Sequence, residues 1–516
     1  MRFRTCIGVA MLQLLIIQMS NCANFVAFLL QTRSHISPVL PVAQQLKKYN
    51  HTVTFVLANS IEKDLLNGGI NILNITAESL DRSDFVDKLR LFLESKSSGV
   101  RLYAFINLLY GAFEFCHNFM SDQNLHVKLT AAKFDYAIVD YLPTLCFEGM
   151  AYKLSLPFIF IGAHVDFELN RAPVFPAFMP TFWSSFNDKM NFSERVKNLL
   201  LYLIQLAKPS MPSFENIISK YAPEKPFITN AQLRRRALLH IVDSDILLDF
   251  PLPVPPNIIL CGGLAATEAK PLPANINMFA EIADGIVVVS FGSIFKEMPM
   301  EVFDKFILSF QAVKQLNFIF RYGTSEKLIG NVLLLPWLPQ NDILGYNKTR
   351  LFITHCGKSG LFEALYHGVP VIGFPLGSDQ LANSAVVVDK EYGLSMDLSD
   401  FSIKELVTNI NRVAFSDHYR ASIQHASKIF HSRPQTPPER AAYWIDLVTK
   451  YGTRHFRPAS MDMKWYTYYM VDVLMFLFIL VENYVCKSLV NCCGNRHISI
   501  LLLLLSCILR GNNVRS

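Results

Sequence analysis

Two series of short apolar runs, separated by a proline-rich stretch, limit the folds open to this chain. In the first series, runs such as Asn24–Leu30 and Thr52–Leu57 end in polar residues and alternate with helical segments. Prolines cluster between Pro251 and Pro273, where no helical period is present. A second series follows from Gly285 to Phe374. The pattern predicts α/β class, with an open, mostly parallel sheet in each half and ligands at the carboxyl ends of the strands.

The length of 516 residues also argues against one core, because single hydrophobic cores stop growing well below this size. The helical segment Thr436–Tyr451 is expected to close the second domain. We therefore expect a signal peptide (1–22), an N-terminal domain (23–250), a linker (251–275), a C-terminal domain (276–455), a transmembrane helix (465–486) and a cytosolic tail (487–516).

The two ends of the chain predict passage through the secretory pathway. Residues 1–22 combine Arg2 and Arg4 with an apolar stretch too short to span a bilayer, as in a cleavable signal. Near the C-terminus the wholly apolar segment Val473–Val481 lies between Lys464 and Lys487, with aromatic residues at both sides. One transmembrane helix is predicted there, with a buried or interfacial helix as the alternative. Four N-glycosylation triplets give weak support, at Asn50, Asn74, Asn191 and Asn347.

Composition excludes several classes of protein. Hydrophobic residues make up 51% of the chain and charged residues 17%, which favours membrane contact or an apolar pocket. The formal charge of +6 is spread without a basic block, so nucleic acid is not an expected partner. Only Cys116, Cys146, Cys261 and Cys356 lie between the predicted signal and the C-terminal apolar region, widely spaced. That spacing excludes a disulfide-built scaffold and predicts no metal site.

The most informative stretch runs from Trp337 to Gln380. A strand ends at Thr354, a tight loop follows, and a helix begins near Ser359, so free backbone amides form a seat for an anion such as a diphosphate. His355, Gly357 and Ser359 would line this seat. Three further interactions complete a nucleotide-sugar site: Trp337 offers an aromatic face to a base, Glu363 accepts hydrogen bonds from ribose, and Asp379 with Gln380 binds sugar hydroxyls.

This stretch resembles the signature region of the UDP-glycosyltransferases, with a Trp-x-Pro-Gln element, a His-x-Gly loop and an Asp-Gln pair. The similarity covers nearly the whole chain and is to the UDP-glucuronosyltransferase type, the membrane-anchored animal enzymes. It implies a GT-B fold of two Rossmann-like domains with a cleft between them, and a single-pass protein of the endoplasmic reticulum membrane with luminal catalytic domains. The implied donor-site residues are Ser293, Trp337, Gln340, His355, Gly357, Ser359, Glu363, Asp379 and Gln380.

The same resemblance implies the catalytic pair. The family's base is a histidine just after the first strand, which His35 matches, and its partner is an aspartate ending a later strand, which Asp140 matches. A neutral imidazole would take the acceptor proton while the carboxylate holds the ring. The hydroxyl would then displace UDP with inversion. A catalytically silent protein that binds lipophilic ligands or a partner enzyme is the alternative.

Two other interpretations are weaker. Gly357-Lys358-Ser359 resembles the end of a phosphate-binding P-loop, but the first glycine of that motif would fall at Phe352. Lys358 and Ser359 also depart from the small residue and asparagine that are usual at these positions of the animal enzymes.

Asp243-Ser-Asp245 resembles a metal-binding pair but lies within an apolar strand, which favours a structural role.

Several properties stay open at this point. No cofactor is expected beyond the donor, which is UDP-glucuronate or UDP-glucose. The acceptor is expected to be a small lipophilic molecule with a hydroxyl, bound by Ser98–Met120 and Phe175–Leu206. Val196–Ile204 has the pattern of a segment that lies on a membrane. A homo-oligomer is left open.

Overall fold

The computed structural model describes residues 22–58, 71–74, 98–141, 147–164, 167, 170–181, 184–206, 212–292, 298–377 and 379–493. Nearly all of the predicted signal, Ser293 and the end of the predicted tail lie outside these residues. Contacts divide the chain into two compact units, Met1–Arg457 and Pro458–Ser516, and the two sheets lie in the first.

The first sheet consists, within the described residues, of seven parallel strands in the order β3-β2-β1-β4-β5-β6-β7. The order reverses between β1 and β4, which leaves a crevice at the carboxyl ends of these two strands. The last strand, β7, lies inside the stretch predicted as a linker. The bounds are β1 (Asn24–Phe28), β2 (Thr52–Leu57), β3 (Asn71–Asn74), β4 (Tyr136–Asp140), β5 (Phe158–Gly162), β6 (His240–Val242) and β7 (Ile258–Leu260).

Helices connect these strands, as right-handed crossovers between parallel strands require. They are α1 (Arg33–Ile36), α2 (Val39–Lys48), α3 (Ser98–Ser121), α4 (Gln123–Ala132), α5 (Phe147–Lys153), α6 (Phe192–Leu206), α7 (Pro212–Tyr221) and α8 (Asn230–Arg234).

The second sheet has the order β10-β11-β9-β8-β12-β13-β14, with β10 antiparallel to β11 and the other pairs parallel. Its order reverses between β8 and β12, so a second crevice opens where β12 ends. The bounds are β8 (Gly285–Ser290), β9 (Leu316–Arg321), β10 (Lys327–Ile329), β11 (Val332–Leu335), β12 (Thr349–Thr354), β13 (Val371–Gly373) and β14 (Gly393–Ser395).

The helices of this half are α9 (Ala274–Glu281), α10 (Met300–Ala312), α11 (Gln340–Leu344), α12 (Lys358–His367), α13 (Gln380–Asp389), α14 (Ile403–Ala414), α15 (Asp417–His431) and α16 (Pro437–Tyr451). Both sheets are covered on both faces. Alternate residues of one strand therefore enter different cores, as Phe25 and Val26 of β1 do. This explains why the strands read as continuous apolar runs.

Helix α16 differs from the expectation that it closes the second domain. Ala441 and Ile445 are buried in the core that contains Phe25 of β1, and α16 packs on α2. Asp446 of α16 also lies 3.0 Å from Nε2 of the buried His51. The chain thus returns to the first half after completing the second sheet, and α16 ties the two halves together.

The C-terminal unit departs from the prediction of one transmembrane helix over 465–486. A 3₁₀ turn (Ala459–Asp462) and a short helix α17 (Trp465–Tyr468) precede α18 (Val471–Cys493). Met470 separates α17 from α18 because its φ of +55° lies in the left-handed region, which a right-handed helix cannot include. Across the residues that the structure describes, no helix is long and apolar enough to span a bilayer.

Candidate active site

The structure brings His35 and Asp140 together at the crevice of the first sheet. Asp140 ends β4 and His35 lies in α1, directly after the neighbouring strand β1. Nδ1 of His35 is 2.8 Å from Oδ2 of Asp140, and the same oxygen accepts a hydrogen bond of 2.9 Å from the Leu30 amide. Asp140 is 3% exposed and His35 26% exposed. The backbone thus fixes the carboxylate, and the carboxylate orients the imidazole.

This contact selects one tautomer of the ring. In a neutral His35, the Nδ1–H group donates to Asp140, so Nε2 carries the free lone pair. A ring that is held in this way and is partly open to solvent can accept a proton from a bound hydroxyl. The carboxylate then stabilises the imidazolium that forms.

The crevice of the second sheet has the predicted strand, loop and helix. β12 ends at Thr354, and α12 begins at Lys358, one residue before the predicted start. Gly357 is the N-cap of α12, and no side chain caps that end, so its amides are available to an anion. Cys356 has a φ of +65°, an unusual conformation for a residue with a side chain, which turns the chain sharply before the helix.

His355 lies in this loop between two glycines. A Cβ atom at Gly292 or Gly357 would lie 2.7 or 2.6 Å from its Nε2 atom, so only glycine fits at either position while the ring keeps its place. Burial lowers the pKa of His355 to about 4, although the Asp379 carboxylate opposes the shift. The ring is therefore neutral near pH 7 and acts as a polar, uncharged neighbour of the anion seat.

Lys358 does not lie in the position of a P-loop lysine. Its side chain is 4% exposed, and Nζ donates 3.0 Å to the Leu248 carbonyl and pairs with the Asp249 carboxylate. Asp249 also accepts hydrogen bonds from Ser244 and the Asp245 amide. Lys358 therefore joins the start of α12 to the segment between β6 and β7 of the first sheet.

The Asp243-Ser-Asp245 pair is also held by protein groups. Oδ1 of Asp243 accepts hydrogen bonds from the amides of Gly263 and Leu264, and Asp245 lies 2.7 Å from Arg433. Burial raises the pKa of Asp243 to about 6, against the lowering effect of those amides. Protein groups thus contact both carboxylates, an arrangement compatible with the structural role that the sequence favours.

Trp337, Gln340 and Glu363 lie on neighbouring elements beside the loop. Trp337 follows β11 and is 45% exposed, while Gln340 begins α11. Nε2 of Gln340 donates a hydrogen bond of 2.5 Å to Oε2 of Glu363 in α12. Burial raises the pKa of Glu363 to about 7, although the Gln340 amide lowers it. The aromatic platform and the proposed ribose acceptor are thus both present at one edge of the crevice.

Asp379 and Gln380 begin α13, the helix after β13. Nδ2 of Asn383 donates 2.8 Å to Asp379 and 2.9 Å to the Cys356 carbonyl, which links this corner to the anion seat. Gln380 is 7% exposed, and its Oε1 accepts a hydrogen bond from the Leu376 amide. Burial raises the pKa of Asp379, but the His164 imidazole and the Asn383 amide outweigh it, and the pKa falls to about 2. Asp379 is therefore an anion at every physiological pH.

Two side chains of the first half reach the donor residues of the second. The Arg33 guanidinium, two residues before His35, lies 4.0 Å from the centre of the Trp337 ring. Nε2 of His164, in the loop after β5, is 3.6 Å from Oδ2 of Asp379. The sequence did not reveal either contact, because neither residue belongs to a motif and both contacts depend on how the halves meet.

Arg321 is a second cation beside Trp337. It ends β9, is 7% exposed, and lies 5.4 Å from the Trp337 ring while its guanidinium donates to the Gly292 carbonyl. Burial lowers the pKa of Arg321, and the nearby Arg33 adds to the shift. The crevice therefore combines cations with a row of backbone amides, an arrangement suited to an anionic ligand.

Ser359 lies in the first turn of α12, where the sequence placed it, and Ser293 is outside the described residues. Of the predicted donor-site residues, the structure therefore gathers Trp337, Gln340, His355, Gly357, Ser359, Glu363, Asp379 and Gln380 around one crevice.

Comparison with known proteins bears on the family and the fold of the chain. The chain is 33% identical over 381 residues to UDP-glucuronosyltransferase 2C1 of Oryctolagus cuniculus, covering 71% of this chain and 75% of the rabbit protein. Solved structures share the fold. A glycosyltransferase of kitacinnamycin has a TM-score of 0.57 at 17% identity, with 82% of this chain and 98% of that chain covered.

A UDP-glucosyltransferase from Polygonum tinctorium has a TM-score of 0.55 at 16% identity, with coverages of 83% and 98%. These neighbours have the GT-B fold, which the two α/β halves of this chain share. The family model described as UDP-glucoronosyl and UDP-glucosyl transferase matches residues 20–499. The chain belongs to this family and is a hexosyltransferase that uses a UDP-sugar donor.

Proposed function

We propose that the enzyme transfers glucuronate or glucose from UDP to a hydroxyl of a small lipophilic acceptor, with inversion at the anomeric carbon. The observation that carries this proposal is the 2.8 Å contact between His35 and Asp140. His35 lies on the same short helix, α1, as Arg33. The Arg33 guanidinium contacts Trp337, the residue predicted to stack on the nucleotide base. The proposed general base is therefore two positions along the chain from a side chain that contacts the proposed donor site.

In the proposed reaction His35 acts as the general base. Nε2 takes the proton of the acceptor hydroxyl while the oxygen bonds to the anomeric carbon, and UDP leaves with the electron pair of the broken bond. Asp140 keeps Nδ1 protonated and stabilises the imidazolium. Because attack and departure occur on opposite sides of one carbon, an α-linked donor gives a β-glycoside.

The donor residues hold the leaving group. The free amides of α12 and the neutral His355 would bind the diphosphate, which carries increasing negative charge as the bond breaks. Trp337 would stack on the uracil, and Glu363 would accept hydrogen bonds from ribose. Asp379, an anion at physiological pH, would bind sugar hydroxyls.

Charge near the donor residues favours glucuronate over glucose as the sugar. Glucuronate adds a carboxylate, which a cation stabilises when water is excluded. The guanidinium groups of Arg33 and Arg321 both lie against Trp337 of the second half. UDP-glucose stays the alternative, because a neutral sugar needs none of these groups.

The proposed compartment is the lumen of the secretory pathway, at the endoplasmic reticulum membrane. The signal-like residues 1–22 support it, and so does Cys116, which is disulfide-bonded and so fits an oxidising compartment. A single membrane span near the C-terminus stays a prediction from the sequence.

The test is UDP release by the full chain, given UDP-glucuronate or UDP-glucose with phenols and sterols, with chelator in place of metal. Turnover with one donor is the expected result, and product analysis should give the β-anomer. The alternative is a silent protein that binds lipophilic ligands. UDP binding without turnover on any acceptor would favour that alternative.

A further inference from the structure

The residue just before β1 is held more firmly than the start of a domain usually is. Ala23 is 7% exposed. Its amide donates a hydrogen bond of 3.0 Å to Nδ1 of His51, and its carbonyl accepts one of 3.0 Å from the Thr52 amide. Residues that precede a first strand fray unless something ties them down. Here both backbone groups of Ala23 are bound.

The His51 side chain is oriented to accept a hydrogen bond from Ala23. It is fully buried, and an edge contact with the Phe25 ring, at 5.5 Å between ring centres, holds it. Nε2 lies 3.0 Å from Oδ1 of Asp446. A carboxylate only accepts, so in the neutral ring Nε2 carries the proton and Nδ1 carries the lone pair. That lone pair is directed at the nitrogen of Ala23.

Asp446 extends this contact to the joint between the two halves. It belongs to α16, the helix that returns from the second sheet and packs on α2. Nζ of Lys450, one turn later, is 2.9 Å from each oxygen of Asp446. A hydrogen-bonded row thus runs from the Ala23 nitrogen through the His51 imidazole to the carboxylate. The proposed transfer reaction uses none of these groups.

The end of the predicted signal falls at the same nitrogen. Ser20 and Cys22 are the small residues that a signal peptidase requires before the bond it cuts. In the structure Cys22 is exposed, its thiol donating 2.7 Å to the Asn50 carbonyl, whereas Ala23 is buried. The predicted cut therefore separates an exposed residue from a buried one. It also releases the nitrogen that faces His51.

We propose that signal removal at the Cys22–Ala23 bond creates an α-amino group that binds His51 and strengthens the joint at α16. The oxygen of a water molecule bonds to the Cys22 carbonyl carbon, and both protons of that water go to the Ala23 nitrogen. The products are a carboxylate, which leaves with the signal, and an ammonium group. We call the ammonium group, His51 and Asp446 the N-terminal site.

The new ammonium group offers more to this site than the amide did. One of its three hydrogens keeps the bond to Nδ1 of His51, and a second replaces the Cys22 thiol at the Asn50 carbonyl. Its positive charge is separated from the Asp446 carboxylate by a single imidazole. Charge-assisted hydrogen bonds are about twice as strong as neutral ones. The mature chain is therefore held more firmly at α16 than the uncut chain.

The first experiment locates the cut. The full chain is produced in cells with a secretory pathway, and mass spectrometry identifies its first residue. We expect Ala23, and any other first residue would overturn the inference. The inference rests on the proposed secretory route and not on sugar transfer. An intact signal would thus also contradict the proposed compartment, while turnover of the donor would be unaffected.

The second experiment measures whether the amino group is bound. The mature chain is treated with an N-hydroxysuccinimide ester at neutral pH, and mass spectrometry follows acylation of its N-terminal peptide. The control has one glycine inserted between Cys22 and Ala23, so its amino group lies outside the site while the Ala23 amide keeps its bond to His51. We expect acylation of the parent to be at least about tenfold slower than that of the control. Equal rates would overturn the proposal.

The third experiment tests the link to α16. Asp446→Asn removes the charge but keeps the shape of the side chain. It should speed acylation in the parent and leave the rate in the glycine-inserted chain unchanged. It should also lower the midpoint of thermal unfolding more in the parent than in the glycine-inserted chain, because only the parent has the ammonium group in the site. An equal fall of the two midpoints would show that the carboxylate stabilises α16 without the N-terminus, and would overturn the proposed link.

Discussion

The proposed donor site of the second half and the proposed catalytic pair of the first half are built in different ways. The donor residues between Trp337 and Gln380 follow consecutive strands of one sheet, and neighbouring loops hold them together. His35 and Asp140 are far apart in the chain and meet because β1 and β4 are neighbours where the strand order reverses. A compact motif therefore reveals the donor side, whereas the base and its partner become a pair only through topology.

The largest expected effect tests the catalytic side of this comparison. His35→Ala should lower kcat by about 10²–10⁴, the usual contribution of a general base, while UDP still binds. Activity comes from initial rates and UDP affinity from calorimetry. Asp140→Asn should also lower kcat, because the amide cannot hold the imidazolium in the same way.

Ser34→Ala is a suitable control for His35→Ala, because Ser34 is the exposed neighbour whose hydroxyl contacts Thr32. It should keep nearly full activity. A normal kcat in the His35→Ala protein would contradict the assignment of the general base to the first half.

The second prediction concerns Lys358, the residue of the donor motif that packs instead of facing the crevice. Lys358→Met should lower the free energy of unfolding by about 2 kcal/mol, because the buried contact with Asp249 is lost. UDP affinity should change little. Denaturant unfolding and calorimetry measure the two effects.

Lys305→Met provides the matched control, because Lys305 forms an exposed pair with Glu301 over one helical turn. Its effect on stability should stay below about 0.5 kcal/mol. A large loss of UDP affinity in Lys358→Met with unchanged stability would show that the lysine binds phosphate after all.

The third prediction concerns the pH dependence of donor binding, which we expect Glu363 to cause. Glu363 has a pKa of about 7, whereas His355 and Asp379 have values of about 4 and 2, so only Glu363 changes its charge near neutrality. Ribose hydroxyls donate to a carboxylate better than to a carboxylic acid. Affinity for UDP-glucose should therefore rise with pH, about tenfold from roughly pH 6 to pH 8.

UDP-glucose suits this measurement because its diphosphate is a diester and does not titrate in this range. Glu363→Gln should bind UDP-glucose with an affinity that hardly changes over the same range. A Glu363→Gln protein that kept the full pH dependence would place the titrating group elsewhere in the crevice.

The sequence predicts local features of the fold better than it predicts contacts between distant parts of the chain. The apolar runs predicted the inner strands of both sheets, since a strand covered on both faces is apolar throughout, but not the edge strands β3, β7, β10 and β14. The loop at His355 and the start of α12 were predicted to within one residue, because glycine and a strand end restrict the backbone locally.

What the sequence could not give depends on how distant parts meet. Helix α16 has an ordinary amphipathic pattern, which does not say that its apolar side packs on the first half. Arg33 and His164 look like surface residues until the halves are placed together. The sequence predicted that Val196–Ile204 lies on a membrane, but it did not reveal the three hydrogen bonds of Asn198 that turn the apolar side of this helix outward.

The smallest expected effect tests whether His164 of the first half contributes to the proposed donor site. His164→Ala removes the imidazole that lies 3.6 Å from Asp379, so the carboxylate loses one partner but keeps the Asn383 amide. Because the contact is partly exposed, we expect the donor KM to rise about two- to fivefold with kcat nearly unchanged. The KM of the acceptor should not move. His164→Gln, which retains a hydrogen-bond donor, should restore part of the loss. A His164→Ala protein with the parent's donor KM would show that His164 takes no part in donor binding.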